Sequence, residues 1–316
     1  MARVSMENTS TVADCIEAVA MTLASAGLHF GHGTDNARDE AAWLVLHVLG
    51  EPLDGSFCDW GQAVAEPQSQ AIRQLAAERC ASRKPLAYLT GTAFFAGLEF
   101  AVNEQVLVPR SPIAELILDG YRPWVEPERV GWILDMCTGS GCIAVASAVR
   151  LPGAQVDAAD ISPAALKVAA LNVERHGLAG RVALFQSDLF EALPARRYDL
   201  IVANPPYVSS ASMRSLPGEY LSEPGLGLES GRDGLDATLK ILLDAPRFLG
   251  KDGVLICEVG ESEDRLAQVL PEVPLLWLEF ERGGSGVFVL SRQQLEEAGA
   301  VIATAMEIRD NEKHVT

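Results

Sequence analysis

The 316-residue chain lacks any run of roughly 18 apolar residues, so no segment reads as a membrane-spanning helix. Its amino-terminal stretch, MARVSMENTS, lacks the apolar core of a signal peptide, and a soluble cytoplasmic protein is the expectation. Metal-ligand spacing is missing as well. The six cysteines, at positions 15, 58, 80, 137, 142 and 257, form no close pairs of the zinc-ribbon type. Cys137 and Cys142 are separated by four residues, with no histidine or second pair nearby to complete a site. A disulfide scaffold is excluded by the same spacing, and free thiols without a metal are expected. Basic charge is scarce: 25 Lys and Arg face 43 Asp and Glu, a formal charge of −18. Such a field repels nucleic-acid phosphates and attracts cationic partners. Direct nucleic-acid binding is therefore not expected, although an acidic surface also serves solubility alone. Internal repeats, low-complexity tracts and Gly/Ser tethers are absent.

What remains is a globular composition, 48% apolar and 22% charged, in a chain longer than a usual single domain. Two unequal domains are the first expectation. The first part reads as helical. TVADCIEAVAMTLASAGL carries apolar residues at helical spacing and ends near Gly27, and DEAAWLVLHVLG sets Trp43, Leu46 and Leu49 three apart before Gly50. PQSQAIRQLAAERCASRK opens on Pro67 and closes on basic residues, as a helix dipole favours. His47, on one of these faces, reads as a packed residue rather than a ligand.

From Ala87 the period changes. AYLTGTAFFAGLEFAV alternates imperfectly around Gly91 and Gly97, as a short hairpin does. VLVPRSP follows, a loop with Pro109 and Pro112, and Ser111 with Pro112 opens the next helix. After Gly131 strands and helices alternate: GWILDMC, AQVDAAD, RVALFQSD, YDLIVAN and GVLICEVG as strands, with helices between them, one capped by Ser162 and begun at Pro163. That order predicts a mostly parallel sheet covered on both faces. PLLWLEFERGGSGVFVLSR then reads as an antiparallel hairpin around Gly283, Gly284 and Gly286, which separates this sheet from a standard dinucleotide-binding one. At the end, QLEEAGAVIATAMEI suits a short helix and RDNEKHVT a frayed terminus.

Three acids fall at successive strand ends. Asp135 precedes the glycine loop in DMCTGSGCIA, where Gly139 and Gly141 let backbone approach a ligand. Asp160 lies about twenty residues further on, where a carboxylate can take ribose hydroxyls. Asp188, in QSD, stands at the neighbouring edge, placed for an adenine amino group. Glycines between a strand and a helix also serve simply to turn the chain, but the three acids together favour a ribonucleoside. Ala144 stands where the last small residue of a dinucleotide fingerprint belongs, so the motif alone admits NAD. Asp135 suits a cation better than a phosphate, which favours S-adenosylmethionine.

VANPPYVSS sets Asn204, Pro205, Pro206 and Tyr207 directly after an apolar strand. An amide or exocyclic amine is a poor nucleophile, and accepting both its N–H hydrogens fixes the group and enriches the nitrogen in electron density. The Asn204 side chain offers one acceptor and the Pro205 carbonyl another; the prolines stiffen both, and Tyr207 presents a face for a planar group. Methyl displacement at such a turn needs positioning and electrostatics, and no metal. The turn by itself suits a glutamine amide and an adenine equally.

DMCTGSGCIA, ADIS, SDLF and NPPYV, in this order behind a helical domain and VLVPRSP, resemble the protein-(glutamine-N5) methyltransferases of the HemK type over about residues 10 to 292. NPPY alone is shared with adenine-N6 methyltransferases of nucleic acids. The resemblance implies a Rossmann-like class I S-adenosylmethionine-dependent sheet with a terminal antiparallel hairpin, an α/β fold preceded by a small helical domain. It implies a substrate-recognition domain at residues 1–86, a hairpin linker at 87–105, a catalytic domain at 106–292 and a tail at 293–316. Within the family, PRSPIAEL and MCTGSGC depart from the release-factor branch, and EYLSEPGLGLESGRDGLD resembles the branch that methylates a glutamine of large-subunit ribosomal protein L-three. That branch is preferred; release factors, and less readily nucleic-acid adenine, are the alternatives. By this resemblance Asp135, Met136, Cys137, Thr138, Gly139 and Gly141 line the methionine end of the cofactor. Asp160 takes the ribose and Asp188 lies near adenine. Asn204 touches cofactor and substrate, and Asn204, Pro205, Pro206 and Tyr207 hold the glutamine, with Asn204, Pro205 and Tyr207 catalytic. Leu189 stands where the release-factor branch can have an aromatic residue, and Glu223 with Pro224 matches a family segment after the turn. A basic ribosomal protein, free or in an assembly intermediate, gives the −18 charge a use in steering.

Overall fold

The structure, a computed structural model, describes residues 10–315, with side chains through residue 311. The signal-peptide reading falls almost wholly on residues 1–9, outside those described. Among the described residues no helix is long and apolar enough to cross a membrane, and no three His, Cys, Asp or Glu side chains gather as a metal site. The chain divides into two compact units.

The first unit holds the described residues up to Ala93 together with Pro217–Ser222. It contains α1 (Val12–Ser25), α2 (Ala37–Leu49), α3 (Glu66–Ser82) and the short α4 (Leu86–Thr90). Thr11 and Asp14 form a reciprocal capping box that starts α1, and Asn36 caps α2. Val12, Ile16, Val19 and Leu23 of α1 recur on one face and are buried, as are Leu44 and Val45 of α2 and Ile72 of α3. The unit also buries charge. Arg79 donates to Glu40 at 2.7 Å, and Glu219, fully buried, accepts from Arg83 at 2.7 Å and from the His29 backbone N–H at 3.0 Å. Burial pushes the Glu219 carboxyl up, but the His29 and Arg83 hydrogen bonds outweigh it and hold the group below its ordinary value. Those bonds are what tie Pro217–Ser222 into this unit, since losing one partner strands a buried charge at about 3–5 kcal/mol.

The expected hairpin at Ala87 begins later than its alternation suggests. Leu86–Thr90 is a helical turn stopped by Gly91 at φ 70°, so this glycine ends a helix instead of interrupting a strand. The hairpin itself is β1 (Thr92–Phe95) and β2 (Leu98–Ala101).

The second unit, Phe94–Leu216 with Glu223–Thr316, carries α5 (Ile113–Leu118), β3 (Trp132–Met136), α6 (Cys142–Arg150), β4 (Gln155–Asp160), α7 (Pro163–Arg175), β5 (Val182–Gln186) and β6 (Tyr198–Ala203). Then come α8 (Asp236–Asp244), β7 (Leu249–Glu258), α9 (Glu263–Val269), β8 (Leu276–Trp277), β9 (Val287–Ser291) and α10 (Arg292–Val315). The seven strands order as β5-β4-β3-β6-β7-β9-β8, parallel from β5 through β7, with β9 antiparallel to both β7 and β8. Alternate strand residues enter different cores: Ile133, Val156, Leu200 and Ile256 pack with α6, and Leu134, Ile201, Leu255 and Leu290 with α8 and α10. Both faces are covered, which is why these strands are apolar at nearly every position.

Two expectations change here. Arg292–Val315 is one continuous helix, not a short helix with a frayed end: Leu295, Ala298 and Ile302 are buried in the second core, and Arg309 pairs with Asp233 at 2.5 Å and Asp236 at 2.7 Å. The terminal hairpin has one strand of only two residues, β8.

Candidate active site

Strand register sets the site. Ala159 of β4 pairs with Met136 of β3, Met136 with Ala203 of β6, and Ala203 with Cys257 of β7. One step further along the four strands stand Asp160, Cys137, Asn204 and Glu258, a single row at the carboxyl edge. The order of strands reverses between β3 and β6, and ligands of open α/β sheets bind at that crevice. A cavity of about 370 Å³ lies along this edge.

On its β3 and β4 side, Met136, Cys137, Thr138, Gly139, Ser140, Asp160, Asp188 and Leu189 line the wall. The Asp160 carboxylate accepts the Gly139 N–H at 2.9 Å and the Ser162 N–H at 2.8 Å, which fixes the glycine loop to the next strand. Burial raises its pKa against those bonds, and its remaining lone pairs are free in number to accept hydroxyls. Gly139, at φ 54°, has nothing within 4 Å of where a Cβ would stand, so the loop presents bare backbone. Burial, then the charge of Asp160, push the Cys137 thiol well above its ordinary value, so this wall residue is a neutral thiol and not a competing nucleophile.

Asp135 stands behind the loop and not on the cavity wall. One oxygen accepts the Thr138 hydroxyl at 2.5 Å and the Ala144 N–H at 2.9 Å, and the other is buried without a hydrogen-bond partner. Burial lifts its pKa to about 7. Gly141 is likewise off the wall: a Cβ there would lie 3.1 Å from that of Ala169, so its role is to let α6 approach α7.

On the β6 side, Asn204, Pro206 and Tyr207 reach the wall, and Pro205 is buried between Asn204 and Pro206. The chain beyond the turn is locked by pairing of Val208 with Leu228 and Ser230, and of Ser210 with Gly231. The Tyr207 hydroxyl donates to Glu258 at 3.2 Å, and its carbonyl accepts the Ser262 hydroxyl at 2.8 Å.

Residues 105–111, Gln105 with the VLVPRS part of VLVPRSP, form the facing wall. Arg110 binds Glu223 through two nitrogens, at 2.6 and 2.7 Å, and the Val108 N–H donates to the same carboxylate at 3.0 Å. Ser111, expected to open α5, accepts the Ile113 N–H at 3.2 Å while donating to Glu258 at 2.5 Å. Glu223, Glu258 and Arg110 had no role assigned from sequence, and Ser111 only that of opening a helix. Glu258, the acid that ends β7 within GVLICEVG, could have been found by the strand-end logic that found Asp160 and Asp188.

Residues 22–91 match the PrmC N-terminal domain and residues 124–219 the methyltransferase small domain. The chain is 48% identical over 287 residues to the ribosomal protein uL3 glutamine methyltransferase of Neisseria meningitidis serogroup A, covering 90% of this chain and 94% of the relative. It is 50% identical over 286 residues to the enzyme of that name from Xylella fastidiosa strain Temecula1, covering 90% and 91%. The chain belongs to the HemK-type protein glutamine methyltransferases. Among solved structures, the catalytic domain of human Mettl16, crystallised with a 3′UTR hairpin, aligns with a TM-score of 0.51 at 15% identity over 78% of this chain and 92% of that one, a likeness of fold. The family uses S-adenosylmethionine, and the cavity fits it: bare backbone at Gly139 and a carboxylate at Asp160 face a space of about 370 Å³.

Proposed function

We propose that this protein transfers a methyl group from S-adenosylmethionine to the side-chain amide nitrogen of a glutamine in large-subunit ribosomal protein uL3. The observation that carries the reading is the row of Asp160, Cys137, Asn204 and Glu258, which puts the glycine loop and the Asn204 turn on adjacent strands at one level. The 48–50% identity to uL3 glutamine methyltransferases supports the choice of client.

When bound, S-adenosylmethionine supplies an electrophilic methyl group on a sulfonium that leaves as a neutral thioether. The 136–141 loop offers backbone to its amino-acid end, Asp160 accepts from the ribose and Asp188 faces the adenine. Asp135 acts from behind the loop, by holding Thr138 and the start of α6. Asn204 through its side-chain oxygen and Pro205 through its carbonyl accept the two amide hydrogens, one of which is lost to solvent as a proton once the N–CH3 bond has replaced the S–CH3 bond, and Tyr207 gives the amide a flat face. Cavity-wall carboxylates at Asp160, Asp188, Glu229, Asp236 and Glu258 outnumber the cations Arg110 and Lys240, which suits a cationic donor.

The charge of −18 steers a basic client, free or within an assembly intermediate, and fits action in the cytoplasm without direct nucleic-acid binding. The test is incubation with labelled S-adenosylmethionine and a mixture of unmodified uL3, release factors and nucleic acid. Label on uL3 is expected; label confined to release factors or to nucleic acid overturns the choice of client.

A further inference from the structure

We propose that Glu258 is a positioning residue, which through Tyr207 sets the plane on which the acceptor group rests. This inference rests on the acceptor-side reading given above. Residues 258–262 hold Tyr207 at three places. Glu258 accepts its hydroxyl at 3.2 Å, Ser262 donates to its carbonyl at 2.8 Å, and Gly260 lies under its ring. A Cβ on Gly260 would stand 2.6 and 2.7 Å from two ring carbons, so only glycine lets the ring lie there; Gly260 also has φ 44°. The grip is reinforced from below, because Gly286 packs directly on the Gly260 backbone.

Glu258 is 4% exposed, and its second oxygen accepts the Ser111 hydroxyl at 2.5 Å. One buried carboxylate therefore ties the acceptor turn to the facing 105–111 wall. Both its partners are hydroxyl donors, so the ionised form satisfies the arrangement and an apolar replacement strands two hydroxyls. Tyr207 touches the acceptor in this account; Glu258 acts through it.

The experiment is a double-mutant cycle in the full-length protein, read by single-turnover methyl transfer and by calorimetric titration of S-adenosylmethionine. Glu258→Ala should slow transfer about tenfold to hundredfold, as misplacement of a reacting group does, with cofactor Kd within about threefold of wild type. Glu258→Gln keeps an acceptor for one hydroxyl and should recover most of the rate. In a Tyr207→Phe background, Glu258→Ala should cost no more than about a further threefold, because coupled neighbours are non-additive. A full multiplicative loss in that background, or a parallel fall in cofactor affinity, overturns the inference. If Glu258→Ala does not fold, Glu258→Met, close in volume but unable to accept either hydroxyl, carries the same cycle with Tyr207→Phe. The rates are read on whichever acceptor takes the label, so failure with uL3 counts against the client while the cycle still judges Glu258.

Discussion

On the glycine-loop side of the cavity, Asp135 and Asp160 accept backbone N–H groups, from Ala144, Gly139 and Ser162. On the side of the Asn204 turn, Glu258 accepts the hydroxyls of Ser111 and Tyr207, and Glu223 accepts the guanidinium of Arg110 besides the Val108 N–H. The first arrangement rests mainly on backbone donors at a strand end and a glycine loop, with the Thr138 hydroxyl added at Asp135. The second needs particular side chains at particular places. On the proposed reading, a cofactor common to many enzymes meets the backbone-bound half, and an acceptor peculiar to one meets the half built from side chains.

Substitutions should separate the halves. Asn204→Ala, on the acceptor side, should lower the transfer rate by about a hundredfold or more while cofactor affinity, measured by calorimetry, stays within about threefold. Parallel losses would show that the halves are not separable. Asp160→Ala, on the cofactor side, removes a charged acceptor and should weaken cofactor binding by roughly 1.5–3 kcal/mol, about ten- to hundredfold, with the rate at saturating cofactor far less affected. Gly260→Ala forces a methyl against the Tyr207 ring; a loss of about 1–3 kcal/mol in stability, read as a lower Tm, should accompany slower transfer with unchanged cofactor affinity.

The last effect concerns pH. Asp135 has its pKa raised by burial to about 7, from about 3.9 in an unfolded chain. Below about pH 4 it is neutral in both states; as pH rises from there the unfolded chain gives up the proton first, so stability falls until the folded group ionises near pH 7 and then levels. Cofactor-free Asp135→Asn should show a flatter decline of Tm across that window. An unchanged slope would mean that Asp135 is ionised in the folded protein throughout.

How much of this was legible in the sequence follows the same division. The glycine loop, Asp160 and Asn204 are recognisable because each depends on residues near it in the chain, at a strand end. The partners of Glu258 and Glu223 are not, since Ser111 lies 147 positions from Glu258, and Val108 115 from Glu223. Asp135 was read as a wall residue because sequence places it at the loop and not behind it. The mostly parallel direction of the sheet strands followed from their alternation with helices, while Leu86–Thr90 was hidden by a glycine that stops a helix as readily as it breaks a strand. The long last helix was missed because its polar end, including Arg309, is held by Asp233 and Asp236.

The most direct test of the whole account is to locate the transferred methyl group. After incubation of the full-length protein with labelled S-adenosylmethionine and unmodified uL3, the client is digested and the labelled residue identified by mass spectrometry and hydrolysis. The account predicts a single N5-methylglutamine, absent when the protein carries Asn204→Ala. Label on a lysine, an arginine or a terminal amine, or label that persists with Asn204→Ala, would contradict it.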